Sequence, residues 1–61
     1  MKASEELKQE IAKKVVESMG DTMLEETEHY MFLSGLYDET DNEYMKDQAD
    51  IINKVAKLLL N

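Results

Sequence analysis

The chain lacks cysteine, proline and arginine, and only two of its 61 residues are glycine. Without cysteine, it forms neither a disulfide nor a thiolate metal site. Without arginine, all seven basic residues are lysines, so phosphate groups cannot be held by the planar guanidinium fork. The net charge of −7 also disfavours the basic patches that nucleic-acid binding requires. We therefore expect no direct binding of nucleic acid.

Long hydrophobic runs are missing as well. The longest runs, YMFL and LLL, fall far short of the ~20 residues that a membrane-spanning helix needs. The first ten residues, MKASEELKQE, are polar and charged and lack the apolar segment of a secretion signal. We expect a soluble, unprocessed, cytoplasmic chain with no membrane contact, and the absence of cysteine agrees with this expectation.

The residues that are present favour helices, since alanine, leucine, glutamate and lysine are all common. We predict a single helical domain, residues 1–61, with helices at about 4–19, 22–36 and 41–60. The fold class is therefore all-α, as either a small three-helix bundle or a helical hairpin that dimerises into a four-helix bundle. So short a chain buries only about 60% of its unfolded surface, and we expect a homo-oligomer for that reason.

The first helix has a capping residue and an apolar stripe. Ser4 suits the N-cap, and Gly20 suits the left-handed residue that follows a helix end. The stripe recurs every four residues, at Leu7, Ile11, Val15 and Met19. Met23 continues this stripe, and one glycine costs a helix only about 1 kcal/mol. A single helix from residue 4 to about 36 is therefore an alternative.

The other two helices begin with capping boxes, Thr22 with Glu25 and Thr40 with Glu43. The segment YMFLSGLY is apolar almost all round and is expected to be the most buried part. The core or the self-association face should include Met23, Tyr30, Met31, Phe32, Tyr37 and Tyr44. The third helix should bury Tyr44, Ile51, Ile52, Val55, Leu58 and Leu59. Its solvent face should carry Asp47, Asp50, Lys54 and Lys57, with Asp50 and Lys54 forming an i, i+4 pair.

Charge is distributed very unevenly along the chain. Residues 1–20 are neutral overall and residues 46–61 carry +1, whereas residues 21–45 hold eight acids and no lysine. A sequence selected only for stability would intersperse lysines among these acids. An acidic surface of this kind attracts basic protein surfaces and speeds association. The predicted partner-binding residues are Glu25, Glu28, Asp38, Glu39, Asp41 and Glu43.

This charge distribution favours a non-enzymatic protein-interaction module that needs no cofactor and binds a basic protein partner. In composition the chain is similar to small acidic viral inhibitors, whose spaced carboxylates imitate DNA phosphates. Inhibition of a nucleic-acid-binding protein is therefore the predicted use. Nucleophilic catalysis has little support, because there is no cysteine and the single histidine has no evident nucleophile to activate. A subunit ordered mainly by its neighbours in a larger assembly is a further alternative.

A metal-binding bundle is the main alternative. Glu26 and His29 form a Glu-x-x-His pair, and EETEHYMFL resembles the metal-binding helix of ferritin-like and rubrerythrin-like proteins. The nearest likeness is to half-sized encapsulated ferritins, which build their site across a dimer. The resemblance implies Glu26 and His29 as metal ligands. From the residues alone, His29 could equally pair with Glu25 and Glu26 at the edge of the core.

A second resemblance also implies a metal. The segments ETEHYM and DQADII resemble the magnesium-binding segments of the all-α nucleotide pyrophosphohydrolases of the MazG type. This resemblance implies a pyrophosphate substrate and a magnesium site formed by Glu25, Glu28, Asp47 and Asp50. Such a site requires carboxylates from both helices to converge on one ion.

Overall fold

The computed structural model describes residues 3–18 and 22–60. They form three helices, α1 (Glu5–Ser18), α2 (Met23–Leu33) and α3 (Tyr44–Leu60). Each helix packs against the other two, and no strand occurs among the described residues. The all-α class and the three-helix bundle are therefore confirmed. In these two ranges no helix has both the length and the apolar character needed to cross a membrane.

Helix α1 begins as the sequence predicts. The hydroxyl of Ser4 accepts a hydrogen bond from the backbone N–H of Leu7 at 3.1 Å. Its carbonyl accepts the backbone N–H of Lys8, also at 3.1 Å. Ser4 is therefore the N-cap. The predicted end of the stripe at Met19 and the predicted terminating Gly20 lie outside the described residues.

Helices α1 and α2 lie side by side rather than end to end. Leu7, near the start of α1, and Leu33, at the end of α2, line the same small cavity between the two helices. On one continuous helix, 26 positions would separate these side chains by about 39 Å. The alternative of a single helix from residue 4 to 36 is therefore wrong.

Helix α2 begins at the predicted residue but without the predicted capping box, and it ends earlier than predicted. Thr22 occupies the N-cap position, but its side chain makes no capping hydrogen bond, so the capping box with Glu25 is not formed. The helix ends at Leu33, earlier than predicted, because Gly35 adopts a φ of 78°. The backbone N–H of Gly35 bonds to the carbonyl of Phe32 at 3.1 Å, and only glycine adopts this left-handed conformation without strain.

Two short turns connect α2 to α3 and displace the start of α3. Asp38 Oδ1 accepts hydrogen bonds from the backbone N–H and the hydroxyl of Thr40, at 2.9 and 2.7 Å. Asp41 Oδ1 accepts the backbone N–H of Glu43 at 2.9 Å. The carbonyl of Glu43 accepts the backbone N–H of Asp47, so Glu43 is itself the N-cap. The predicted capping box of Thr40 with Glu43 is wrong, and α3 starts later than expected.

The core draws on all three helices. The buried apolar side chains are Ala3, Ile11, Ala12, Val15, Met31, Tyr37, Tyr44, Ile51 and Val55. The segment YMFLSGLY is not the most buried part, since Phe32, Leu33 and Leu36 are exposed. Leu59, predicted to be buried on α3, is 48% exposed. Within that apolar segment only Met31 and Tyr37 are buried. Tyr30 is half-buried against α1, and Phe32 reaches α3 only through its stack on Tyr44.

Candidate functional site

The six predicted partner-binding acids fall into two groups. Glu25, Asp38 and Glu39 are exposed. Glu28, Asp41 and Glu43 are half-buried. The half-buried acids support the fold, since Asp41 and Glu43 shape the start of α3 as described above. Glu28 Oε1 accepts a hydrogen bond from Gln48 Nε2 at 3.2 Å and so links α2 to α3.

Among the exposed acids, Glu25 and Glu39 are the least constrained. Asp38 is exposed but accepts two hydrogen bonds within its own turn. Within residues 3–18 and 22–60, the carboxylates of Glu25 and Glu39 make no hydrogen bond or ion pair with another described residue. Both carboxylates are therefore available to an external cation.

An aromatic cluster lies where α2, the following loop and the start of α3 meet. Phe32, which is 38% exposed, stacks on Tyr44 with ring centroids 5.4 Å apart. Tyr44 in turn meets Tyr37 edge to face at 6.3 Å. Burial raises the pKa of Tyr44, and the negative charges of Glu28 and Glu39 raise it further. Carboxylates therefore flank the aromatic stack closely enough to act on it electrostatically.

We use the name α2–loop surface for the exposed acidic and apolar side chains of α2 and of the loop that follows it. It comprises Glu25, Phe32, Leu33, Leu36, Asp38 and Glu39. Leu33 is 65% exposed and Leu36 is 42% exposed. The sequence contains no lysine between residues 21 and 45, although Lys14 of α1 lines a cavity together with Leu33 at the edge of this surface. Partly exposed apolar side chains that adjoin charged groups commonly mark interaction surfaces.

Between α1 and α3, unlike on the α2–loop surface, acidic side chains pair with lysines of the chain. Lys8 is only 1% exposed, and its ammonium pairs with Asp50 and, at 3.1 Å, with Glu5. Lys54 lies 2.9 Å from Glu5 and 4.0 Å from Asp50, which confirms the predicted Asp50–Lys54 pair. The hydrogen bond between Lys8 and Asp50 raises the pKa of the lysine and lowers that of the aspartate. Sequence reasoning missed Lys8, although it lies in phase with Ala12 and Val15 on the apolar stripe.

Asp47 does not lie on the solvent face of α3, where the sequence pattern predicts it. Its side chain is only 1% exposed. Asp47 Oδ2 accepts a hydrogen bond from the hydroxyl of Tyr37 at 2.7 Å. Burial, followed by this bond, raises the pKa of Tyr37. The other oxygen, Oδ1, is buried without a hydrogen-bond partner among the described residues, so Tyr37 is the main group that stabilises this carboxylate.

Glu26 and His29, the metal ligands that the ferritin-like resemblance implies, contact different partners. Glu26 accepts a hydrogen bond from the hydroxyl of Ser18 at 3.0 Å. His29 is exposed, and its ring meets Tyr30 edge-on at 5.2 Å. Across the two described ranges, no group of three or more histidine, aspartate or glutamate side chains is placed to hold a metal ion.

The carboxylates of the pyrophosphohydrolase resemblance also point to separate partners. Glu25 faces outward on α2, while Glu28 bonds to Gln48 of α3. Asp50 pairs with Lys8, and Asp47 is held by the tyrosine described above. The position that a cation would occupy beside Asp50 is filled by the lysine ammonium. The geometry of the described residues therefore does not support a magnesium site.

Comparison with known proteins does not extend these observations. No protein-family model, curated protein or solved structure matches the chain.

Proposed function

We propose that this chain is a non-enzymatic interaction module that binds a basic protein partner through the α2–loop surface. The supporting observation is that α2 and the following loop expose apolar side chains together with carboxylates that form no ion pair with another described residue. Glu25 and Glu39 supply the charge, and Phe32 with Leu33 supplies the apolar area. Burial of a carboxylate is unfavourable unless a cation pairs with it. A partner that covers this surface therefore has to bring lysine or arginine.

The surface also suggests how the binding energy is divided. Aromatic side chains that are partly held by their own protein are typical binding hot spots, and Phe32 is held by its stack on Tyr44. Carboxylates at the edge of an interface contribute mainly to the association rate and to specificity. We therefore expect Phe32 to determine affinity and Glu25 and Glu39 to determine the salt dependence of association.

Inhibition of a nucleic-acid-binding protein is the use that we favour. A surface that binds phosphates is rich in lysine and arginine, and carboxylates along α2 and the following loop offer such a surface an alternative set of anions. A protein covered in this way cannot contact nucleic acid through the same side chains.

The proposal is tested by affinity capture with matched charge variants. The variant Glu25→Lys/Glu39→Lys changes two exposed side chains of the α2–loop surface, and Glu10→Lys/Glu17→Lys changes two exposed side chains of α1 by the same total charge. We expect a partner that wild type and the α1 variant capture and that the surface variant loses. Added salt should release this partner, because exposed ion pairs are screened. Equal capture by all three proteins would refute the proposal.

A separate measurement tests the inhibitory use. The captured partner is purified, and its binding to nucleic acid is measured as wild-type chain is added. We expect the fraction of bound nucleic acid to fall as the chain saturates its partner, and Phe32→Ala to weaken this effect without changing the charge. Unchanged nucleic-acid binding in the saturated complex would exclude inhibition but would leave the interaction itself intact.

A further inference from the structure

Helix α3 has a second apolar face in addition to the one that it turns toward the core. It consists of Met45, Ala49, Ile52, Ala56 and Leu59, which we call the α3 seam. Met45 is 69% exposed and Leu59 is 48% exposed. The spacing between successive members is four, three, four and three residues, which is the repeat of a coiled-coil interface. A single stripe that faces the core does not require this second repeat.

We propose that the α3 seam docks against the α3 seam of a second copy of this chain, with the two α3 helices parallel. A heptad repeat is self-complementary, because large side chains of one helix fit the spaces that the other leaves. Ala49 and Ala56 alternate with the larger residues of the seam and allow the two helices to approach closely. A domain of 61 residues also gains stability when it buries a face of this kind.

The charges around the seam favour a copy of the chain over a cationic partner. The seam itself is uncharged, and exposed Lys46 follows directly after Met45 on the side that faces α1. Helix α3 carries three lysines and two aspartates, so the acid excess of the α2–loop surface is absent here. A second α3 can therefore approach without the like-charge repulsion that two α2–loop surfaces would meet.

The charges beside the seam also determine whether the two α3 helices run parallel or antiparallel. Lys46 lies at one border of the seam, whereas Glu28 lies at the opposite border, held there by its bond to Gln48. A two-fold axis parallel to the helices places Lys46 of one copy opposite Glu28 of the other. An antiparallel arrangement, which places Met45 opposite Leu59, takes Glu28 away from Lys46 and brings Lys46 close to Lys57 on the same border of the other copy. Charge complementarity therefore favours the parallel dimer.

The oligomeric state tests this proposal. Sedimentation of the wild-type chain over a range of concentrations should show a dimer. Met45→Glu and Leu59→Lys should each raise the dimer Kd by at least about tenfold, because they place charge in a dry seam. Both changes suit the helix dipole of α3, so the circular dichroism of each variant should stay helical. Leu33→Glu, a change at a leucine that is 65% exposed and lies outside the seam, is the control and should stay dimeric.

Mixed variants test the orientation. Met45→Glu mixed with Met45→Lys should re-form a dimer, since parallel helices bring the two substituted positions together. If the dimer re-forms instead when Met45→Glu is mixed with Leu59→Lys, the parallel arrangement is refuted. A wild-type chain that is monomeric at all concentrations, or a Leu33→Glu variant that dissociates as readily as Met45→Glu, would overturn the self-association itself.

Discussion

The α1–α3 interface and the α2–loop surface use carboxylates in opposite ways. Between α1 and α3, Asp50 and Glu5 face Lys8 and Lys54, and one of these lysines is almost fully buried. On the α2–loop surface, Glu25 and Glu39 face solvent. Both regions belong to the same small bundle and lie on adjacent helices. The difference between them is that lysines of the chain pair with Asp50 and Glu5, whereas Glu25 and Glu39 form no ion pair with another described residue.

This difference separates a structural role from the recognition role that we propose. A carboxylate that compensates a buried ammonium cannot be removed without leaving that charge unpaired. A carboxylate that faces solvent contributes little to stability, and its removal has a small effect. Mutations in the two regions should therefore differ in their effect on unfolding far more than in their effect on net charge.

Replacement of Asp50 should have the largest effect. In Asp50→Ala, Lys8 keeps Glu5 at 3.1 Å but loses its main partner while remaining buried. We expect a loss of about 2–3 kcal/mol, toward the low end for broken buried pairs because the aspartate is partly exposed. Urea unfolding followed by circular dichroism measures this loss.

Replacement of Lys8, the partner of Asp50, should have a much smaller effect on stability. Lys8→Met removes the buried charge and keeps an aliphatic chain of similar length, so the free energy of unfolding should change by less than about 1 kcal/mol. Lys13→Met, on the exposed face of α1, is the matched control. If Lys8→Met destabilises as much as Asp50→Ala, the ion pair itself stabilises the bundle and the explanation from an unpaired buried charge is wrong.

The bond between Tyr37 and Asp47 should have the next largest effect. Tyr37→Phe removes the hydroxyl that donates to a carboxylate of 1% exposure, and nothing replaces this donor. We expect a loss of about 1–3 kcal/mol, seen as a lower Tm in a thermal melt. Tyr30→Phe is the control, because the hydroxyl of this half-buried tyrosine has no hydrogen bond to another described residue. Equal Tm values for the two variants would contradict the assigned role of Tyr37.

The ion pairs between α1 and α3 also predict a pH dependence. The pKa of Asp50 lies below its ordinary value of 3.8, first because of its hydrogen bond with Lys8, and Lys54 likewise lowers the pKa of Glu5 below 4.5. Their contribution to stability is complete above these ordinary values and is lost as the pH falls through the lower folded-state pKa values. The urea midpoint should therefore decline in acid, and less steeply in Lys8→Met.

Lysine titration produces the corresponding effect in alkali. The pKa of Lys8 is raised above 10.5, first by its hydrogen bond with Asp50. The stability that this lysine contributes is present below pH 10.5 and is lost as the pH rises through the raised value.

The comparison in acid tests the assignment of the pair. A urea midpoint that responds to acid identically in wild type and Lys8→Met would show that Asp50 does not titrate against this lysine.

The helices were predictable because their local signals agree with their packing. Ser4 caps α1 as expected, and the stripe of Ile11 and Val15 is buried. The end of α2 was less predictable, because an apolar run does not reveal where the chain turns. There the left-handed Gly35 determined the boundary, and Phe32 and Leu33 were left outside the core.

The charged residues were the hardest to place. Lys8 and Asp47 lie in phase with apolar neighbours, yet residue type suggested solvent. Helical phase would have indicated that both are buried, but not which groups pair with them. The acid-rich segment was visible from composition, whereas the separation of Glu25 and Glu39 from Asp41 and Glu43 depends on the two turns before α3. Such turns arise from specific hydrogen bonds, which periodicity does not predict.

The α2–loop surface should show the smallest effect on stability. Glu25→Lys/Glu39→Lys removes two carboxylates that have no intramolecular partner among the described residues and changes the net charge by four units, from −7 to −3. We expect the free energy of unfolding to change by no more than about 0.5 kcal/mol, with any change a gain, because the chain loses like-charge repulsion. Urea unfolding at low salt measures this change, and added salt should reduce it further. A loss of more than about 1 kcal/mol would mean that these carboxylates stabilise the bundle, as Asp50 does, and would remove the reason to regard them as a binding surface.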